Sequence, residues 1–221
     1  MTKKLIIVTS PPACGKTYIS KALAKRLNHC VYLDKDTLIV LSKQIFKVAG
    51  EPYNRSSDFF EEHIRNYEYE CVVDLALEAL EYDDIVLINA PFTREVRDVA
   101  YMDNLKEQLA KKGATLSVIW VQTDPKIVHE RMIERNSDRD TWKLEHWDEY
   151  IASCNFNIPK ELDNADSKDG LLIFKNNNEK EFEESMVEIT GILKETISAI
   201  CLHLLFYLIY NVTARENNLD N

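Results

Sequence analysis

The segment Ser10-Pro11-Pro12-Ala13-Cys14-Gly15-Lys16-Thr17 has the residue types and spacing to hold a chain of phosphates. A tight loop of backbone N–H groups that opens a helix is an anion site, because the helix N-terminus adds roughly half a positive charge. Lys16 is spaced to reach the outer phosphates and Thr17 to offer its hydroxyl to Mg²⁺. Gly15 has no side chain to keep the backbone away from phosphate oxygens, and Pro12, Ala13 and Cys14 complete the nucleotide-binding stretch. The pattern G-x-x-x-x-G-K-[ST] is met everywhere except at its first position, where Ser10 stands for glycine. The plain alternative is a strand-to-helix turn with an exposed lysine. An apolar strand before the segment and a helical pattern after it favour a phosphate-binding loop for ATP and Mg²⁺.

Further chemistry is spread along the chain. Asp34 and Asp36 follow a short apolar run, where a carboxylate can orient an acceptor hydroxyl and take its proton. Asp36 could equally cap a helix starting at Thr37. Arg131, Arg135 and Arg139 recur at i,i+4, so a helix reaching that far would carry three cations on one face. Such a face suits a migrating phosphoryl group, although Glu134 and Asp138 could instead lace it as a solvated helix. Arg94 and Arg97 follow the run Ile85–Ile88 and are candidates for an anionic acceptor or for a solvated first helical turn. Asn89 stands at the end of that run, where many phosphate-loop proteins place an Asp for the metal. Cys14 reads as a small spacer, and the five histidines share no metal spacing.

Strands that alternate with helices must position these groups. Leu5–Thr9, Cys30–Leu33, Ile85–Ile88, Leu116–Val121 and Leu171–Phe174 are short apolar runs of the buried parallel kind. Between them, helical spacing covers 16–27, 57–82 and 93–112, the last ended by Gly113, and a helix opens at Asp124-Pro125. The pattern predicts an α/β sandwich of three layers with a five-stranded parallel sheet. Ligands of such sheets bind at the carboxyl ends of the strands, where Ser10–Thr17, Asp34, Asp36, Asn89 and Arg94 all fall.

The segment Ser10–Thr17, followed by Tyr32-Leu33-Asp34-Lys35-Asp36-Thr37, resembles the P-loop kinases grouped around zeta toxins and the kinase domain of phage-type polynucleotide kinase, with the AAA-type ATP-binding domain of small kinases. Glu134-Arg135-Asn136-Ser137-Asp138-Arg139-Asp140 is similar to their arginine-bearing lid, and the resemblance spans residues 3–175. It implies a P-loop NTPase fold with strand order 2-3-1-4-5 and a lid around 131–143. It also implies ATP- and Mg²⁺-dependent transfer of the γ-phosphate to a hydroxyl of a small molecule or nucleotide. Asp36 is then the base, Lys16, Arg135 and Arg139 the charge-stabilising groups, and Thr17 the metal ligand, with Asp34, Arg94 and Arg97 toward the substrate.

Composition narrows the partners. Twenty-seven Lys and Arg against 37 Asp and Glu give a net charge of −10, which argues against nucleic acid and anionic membrane. It therefore weakens a polynucleotide end kinase. A nucleotide-binding regulatory NTPase without a free acceptor is the other rival, and Asn89 is its support. Five cysteines without C-x-x-C spacing and an N-terminal apolar run too short for a signal peptide fit a cytoplasmic protein. Residues 1–175 are expected to form the kinase-like domain and 176–221 a C-terminal helical region. Its run 197–210 is apolar all round, too short for a bilayer span, and needs burial on the domain or in a homo-oligomer.

Overall fold

In the computed structural model of the chain, residues 3–136, 140–162 and 170–194 are described. Five strands, β1 (Lys3–Thr9), β2 (Cys30–Asp34), β3 (Ile85–Asn89), β4 (Ala114–Gln122) and β5 (Leu171–Lys175), form one sheet in the order β2-β3-β1-β4-β5. All neighbours are parallel. The expected α/β fold of a P-loop NTPase, with its strand order, is therefore the observed one.

Alternation within the strands explains the layers. Leu5, Ile7, Val86, Ile88, Val118 and Trp120 face one core, with Ile6, Val8, Ile85, Leu87, Ile119 and Val121 facing the other. Continuous apolar runs are thus buried on both sides, as a period of two requires. The second core is covered by α1 (Lys16–Leu27) through Ile19, Leu23 and Leu27. Also on that side are α5 (Pro125–Arg135), α6 (Thr141–Glu145), α7 (Trp147–Ser153) and the helix α8, described over 179–194. Phe182, Met186, Ile189 and Leu193 of α8 join that core. The first core is covered by α3 and α4 (Val99–Lys111). Helix α3 runs from Asp58–Phe60 through a π-helical turn at Glu61–Arg65 into Asn66–Ala79.

Two helices differ from their sequence pattern. The stretch 93–112 holds a 3₁₀ turn at Glu95–Arg97, and α4 starts only after Asp98, whose carboxylate caps Tyr101 N at 3.1 Å. A side chain that satisfies an orphan N–H gives a better start than the open pattern upstream. Helix α5 stops at Arg135, because Asn136 takes the left-handed conformation at φ 44°. The third arginine of the i,i+4 series is therefore not on that helix, and Arg139 lies outside the described residues. The apolar run 197–210 lies outside them too.

The sheet aligns the site. Register pairs Asp34 with Asn89 and Asn89 with Val8, so the ends of β2, β3 and β1 sit level. Strand order reverses at β1, whose carboxyl end is the crevice of an open parallel sheet.

Candidate functional site

The loop after β1 is held from the β4–β5 side. Asn176 Nδ2 donates to Cys14 O at 2.7 Å and Thr123 Oγ1 donates to the same oxygen at 3.2 Å. Because the peptide is trans, fixing that carbonyl turns the Gly15 N–H the opposite way. Gly15 is the N-cap of α1 at φ 94°, where an L side chain is strained, and an added Cβ would lie 2.5 Å from Asn176 Nδ2. Both reasons require glycine here. Cys14 is fully buried, and burial pushes its thiol up, which fits a spacer and not a nucleophile.

Lys16 Nζ folds over the loop and donates to Ser10 O at 3.0 Å, Pro11 O at 3.0 Å and Ser10 Oγ at 3.3 Å. Burial pulls this ammonium down to about 8; Cys14 and Asp36 push the other way, and Arg135 and Lys143 reinforce the fall. Asp36, Arg135 and Lys143 are thus close enough to Lys16 to act on its charge. Asp36, in the turn after β2, and Arg135 are two of the residues singled out in the sequence.

At the other wall, Tyr32 donates to Asp34 Oδ2 at 2.8 Å, and Asp36 N donates to Asp34 Oδ1 at 3.0 Å. Asp34 is therefore the cap of the 3₁₀ turn Lys35–Leu38, and Asp36 sits inside that turn with its side chain half exposed. The capping role weighed for Asp36 belongs to Asp34. Asn89 Nδ2 donates to Thr17 Oγ1 at 3.1 Å and to Tyr32 OH at 3.3 Å.

Beneath Asp36 lies a network that the sequence reading missed. Buried Glu68 accepts from Lys35 at 2.8 Å, from Arg55 Nη1 and Nη2 at 2.7 Å each, and from Ser42 Oγ. Arg55 also stacks over Phe60, 4.4 Å from the ring centroid, and Asp36 acts on its charge. One signal was available: Glu68 falls in register with Ile64, Val72 and Ala76, all buried on one face of α3. Burial alone would raise the Glu68 carboxyl, but its hydrogen bonds from Arg55, Lys35 and Ser42 outweigh that and pull it down to about 2. A depressed carboxyl stabilises the fold fully above its unfolded value near 4.5, and that contribution is lost as pH falls through about 2. Glu68→Ala would take from buried Lys35 and half-buried Arg55 the carboxylate they share. It is expected to cost about 3–5 kcal/mol by chemical denaturation and to erase this acid-side component from the pH–stability curve.

On the lid side, Arg135 is clamped to fully buried Asp140 through Nε at 2.8 Å and through Nη2, and Lys143 approaches the same carboxylate at 3.4 Å. Arg131 Nη2 donates to Asn176 O at 2.8 Å, while its buried Nη1 has no hydrogen-bond partner among the described residues. The remaining two arginines are engaged elsewhere. Exposed Arg94 pairs with Glu61 at 2.7 Å and lines a cavity of about 590 Å³ between α3 and α4. Arg97 donates to Asn157 O and lies over the Trp120 ring at 5.3 Å.

For a nucleotide, the residues present fit: a helix-opening loop with lysine and hydroxyl, and the unsatisfied Nη1 of Arg131 beside it. For Mg²⁺ they fit through Thr17, although no cluster of three His, Cys, Asp or Glu suited to a metal exists among the described residues. Nor is any described helix long and apolar enough to cross a membrane.

Comparison with known proteins places this geometry. The AAA domain family (AAA_33) matches residues 5–156, more than two thirds of the chain and the whole loop-to-lid site. The chain belongs to this family. Among solved structures, it is similar to a putative kinase from Chloroflexus aurantiacus J-10-fl, with 21% identity and a TM-score of 0.58 over 88% of this chain and 98% of that one. It is likewise similar to a sugar kinase from Janibacter sp. HTCC2649 (13% identity, TM-score 0.51, 87% and 98% covered). The Mycobacterium tuberculosis APS kinase CysC, in complex with AMPPNP and APS, matches at 15% identity and a TM-score of 0.51, with 87% and 98% covered. At these identities the likeness is one of fold. No match is found among the curated proteins.

Proposed function

We propose that this AAA-domain chain is a phosphotransferase that moves the γ-phosphate of ATP to a hydroxyl of a small molecule or nucleotide. The observation that supports this reading is the loop after β1, with Gly15 opening α1 and Lys16 folded over it, at strand ends level with Asp34, whose carboxylate caps the turn that carries Asp36. Similarity in fold to a sugar kinase and an APS kinase supports it. The narrower resemblance to zeta toxins and polynucleotide kinases rests on the motifs at Asp34–Thr37 and 134–140.

Each residue has a distinct task. Backbone N–H groups of Ala13–Lys16 and the Lys16 ammonium would hold the phosphates, Pro12 having no N–H to give, and the Thr17 hydroxyl would hold Mg²⁺. When bound, the metal would supply neutralisation of phosphate charge. Asp36 accepts the proton as the acceptor oxygen bonds to phosphorus and the bond to the β-phosphate oxygen breaks, leaving ADP. Arg135, fixed by Asp140, and Arg139 stabilise the migrating charge. Arg55, held flat by Glu68 and Phe60, orients the acceptor from the far side, and Asp34 fixes the turn that carries Asp36; Arg94 and Arg97, held by Glu61 and by Asn157 O, are not assigned to this wall.

Calorimetry of ATP and GTP with Mg²⁺, then a radiolabel screen of hydroxyl acceptors, tests the reading. It expects nucleotide binding and transfer to at least one small alcohol or nucleotide. Absence of nucleotide binding would refute it. Slow phosphate release with no acceptor labelled would favour a regulatory NTPase, the reading to which Asn89 lends support.

A further inference from the structure

Around Asp36, the wall assigned to the acceptor carries buried and half-buried charges of both signs in equal number. Lys35 is almost fully buried and stands 2.8 Å from Glu68 and 3.7 Å from Asp36. Arg55 meets the same Glu68 carboxylate through Nη1 and Nη2, at 2.7 Å each. Burial would raise Glu68, but its hydrogen bonds from Arg55, Lys35 and Ser42 outweigh that, so it is ionised at neutral pH. Two cations therefore stand against two carboxylates. Further along, Arg65 pairs with Glu95 and Arg94 with Glu61, both at 2.7 Å. Lys43 stands over the Tyr53 ring, 5.3 Å from its centroid, and is exposed, so water screens its charge.

Balanced charge does not remove hydrogen bonding. A guanidinium has N–H groups beyond the two that Glu68 accepts, and the Arg55 side chain is 26% exposed, enough to offer them to a ligand. Phe60 supports its plane, 4.4 Å from the ring centroid. The wall thus presents fixed donors without net charge, which suit neutral hydroxyl oxygens. A carboxylate, sulfate or phosphate on the acceptor would instead lie between the Asp36 carboxylate and the phosphates of ATP, with like charge on both sides. No buried cation of this wall is left unmatched, among the described residues, to offset that repulsion.

We propose that the acceptor is an uncharged alcohol, a polyol or sugar in class, and that Glu68 sets this preference by cancelling charge on Lys35 and Arg55 while leaving Arg55 its donors. This rests on the phosphotransferase reading and narrows its acceptor. Glu68 is a positioning residue, since it acts through Arg55. Glu68→Gln keeps one acceptor oxygen for the two cations and removes a negative charge, so the wall becomes cationic.

The test adds matched pairs to the acceptor screen: glucose with gluconate, glycerol with glycerate, and thymidine with its 5′-monophosphate. Labelling from radioactive ATP is measured beside ATP calorimetry. Wild type is expected to favour the neutral member by about 10- to 150-fold in kcat/KM, the scale of a contact to a charged group. Glu68→Gln is expected to shrink that preference by about tenfold, mainly through a lower KM for the anionic member. Loss of stability alone would lower both members together and leave their ratio unchanged. Circular dichroism checks folding, and if Glu68→Gln is unfolded, the wild-type ratio decides. A wild type that labels an anionic member as well as its neutral partner would overturn the proposal, as would a folded Glu68→Gln with an unchanged ratio. Transfer to no acceptor in the screen, with ATP bound, would instead sink the phosphotransferase reading on which the proposal stands.

Discussion

Asp36→Asn is expected to slow acceptor phosphorylation by about 10²–10⁴-fold, the usual cost of losing a general base, while ATP stays bound. The amide keeps the size of the side chain and loses the capacity to take a proton. Structure supports a clean separation of the two effects. Asp36 is not the cap of its own turn, since Asp34 accepts its N–H, so the substitution removes no capping bond. Lys35, which approaches it at 3.7 Å, is anchored independently by Glu68 at 2.8 Å. Contacts to phosphate would come from the loop after β1 and from Lys16, the first residue of α1. Acceptor labelling run beside ATP calorimetry reads the outcome. Equal loss of transfer and binding would give Asp36 a structural or metal role, and no loss of either would leave the phosphate loop as the sole support for a kinase.

What the sequence made legible follows from the range of each interaction. Helix α1 matches its predicted span, Lys16–Leu27, because its start is written locally in the loop and its apolar residues recur at helical spacing. The Asp124-Pro125 start of α5 was legible for the same reason, and Asp124 Oδ1 does accept from Lys126 N at 2.8 Å. The run Asn176-Asn177-Asn178 shows the opposite case. By composition it is a polar turn. In the fold, Asn176 secures Cys14 O across 162 positions of chain, Asn177 Oδ1 accepts from Asp124 N, and Asn178 Oδ1 accepts from Glu181 N at the start of α8. Only the last is a local bond, and so only the last has a signature in neighbouring residues. Arg55 and Glu68 are hidden likewise: thirteen positions separate them, and their pairing depends on how α2 (Ile39–Ala49) and α3 fold together around Phe46, Phe60 and Ile64.

Lys16→Ala is expected to weaken nucleoside triphosphate binding by roughly 10- to 150-fold, since a hydrogen bond to a charged group contributes about 1.5–3 kcal/mol. The fold should survive, because the lysine's present partners, the Ser10 and Pro11 carbonyls and the Ser10 hydroxyl, all lie in its own loop and tie no other element to it. A second consequence follows from its proton. Burial pulls Lys16 down to about 8, so the nucleotide-free loop loses its positive charge as pH rises through that value. Phosphate favours the charged form and raises its proton affinity again. Binding above about pH 8 must therefore take up a proton, and affinity must fall with rising pH. Below that value the ammonium is already charged and binding loses this pH dependence. Calorimetry in two buffers of different ionisation enthalpy measures the proton directly. Wild type is expected to show uptake at alkaline pH, and Lys16→Ala weak binding with that component gone. Uptake that persists in Lys16→Ala would assign the proton to another group. An unchanged affinity would mean that the outer phosphates lie beyond the reach of Lys16, and the loop would then have to be read as a structural turn.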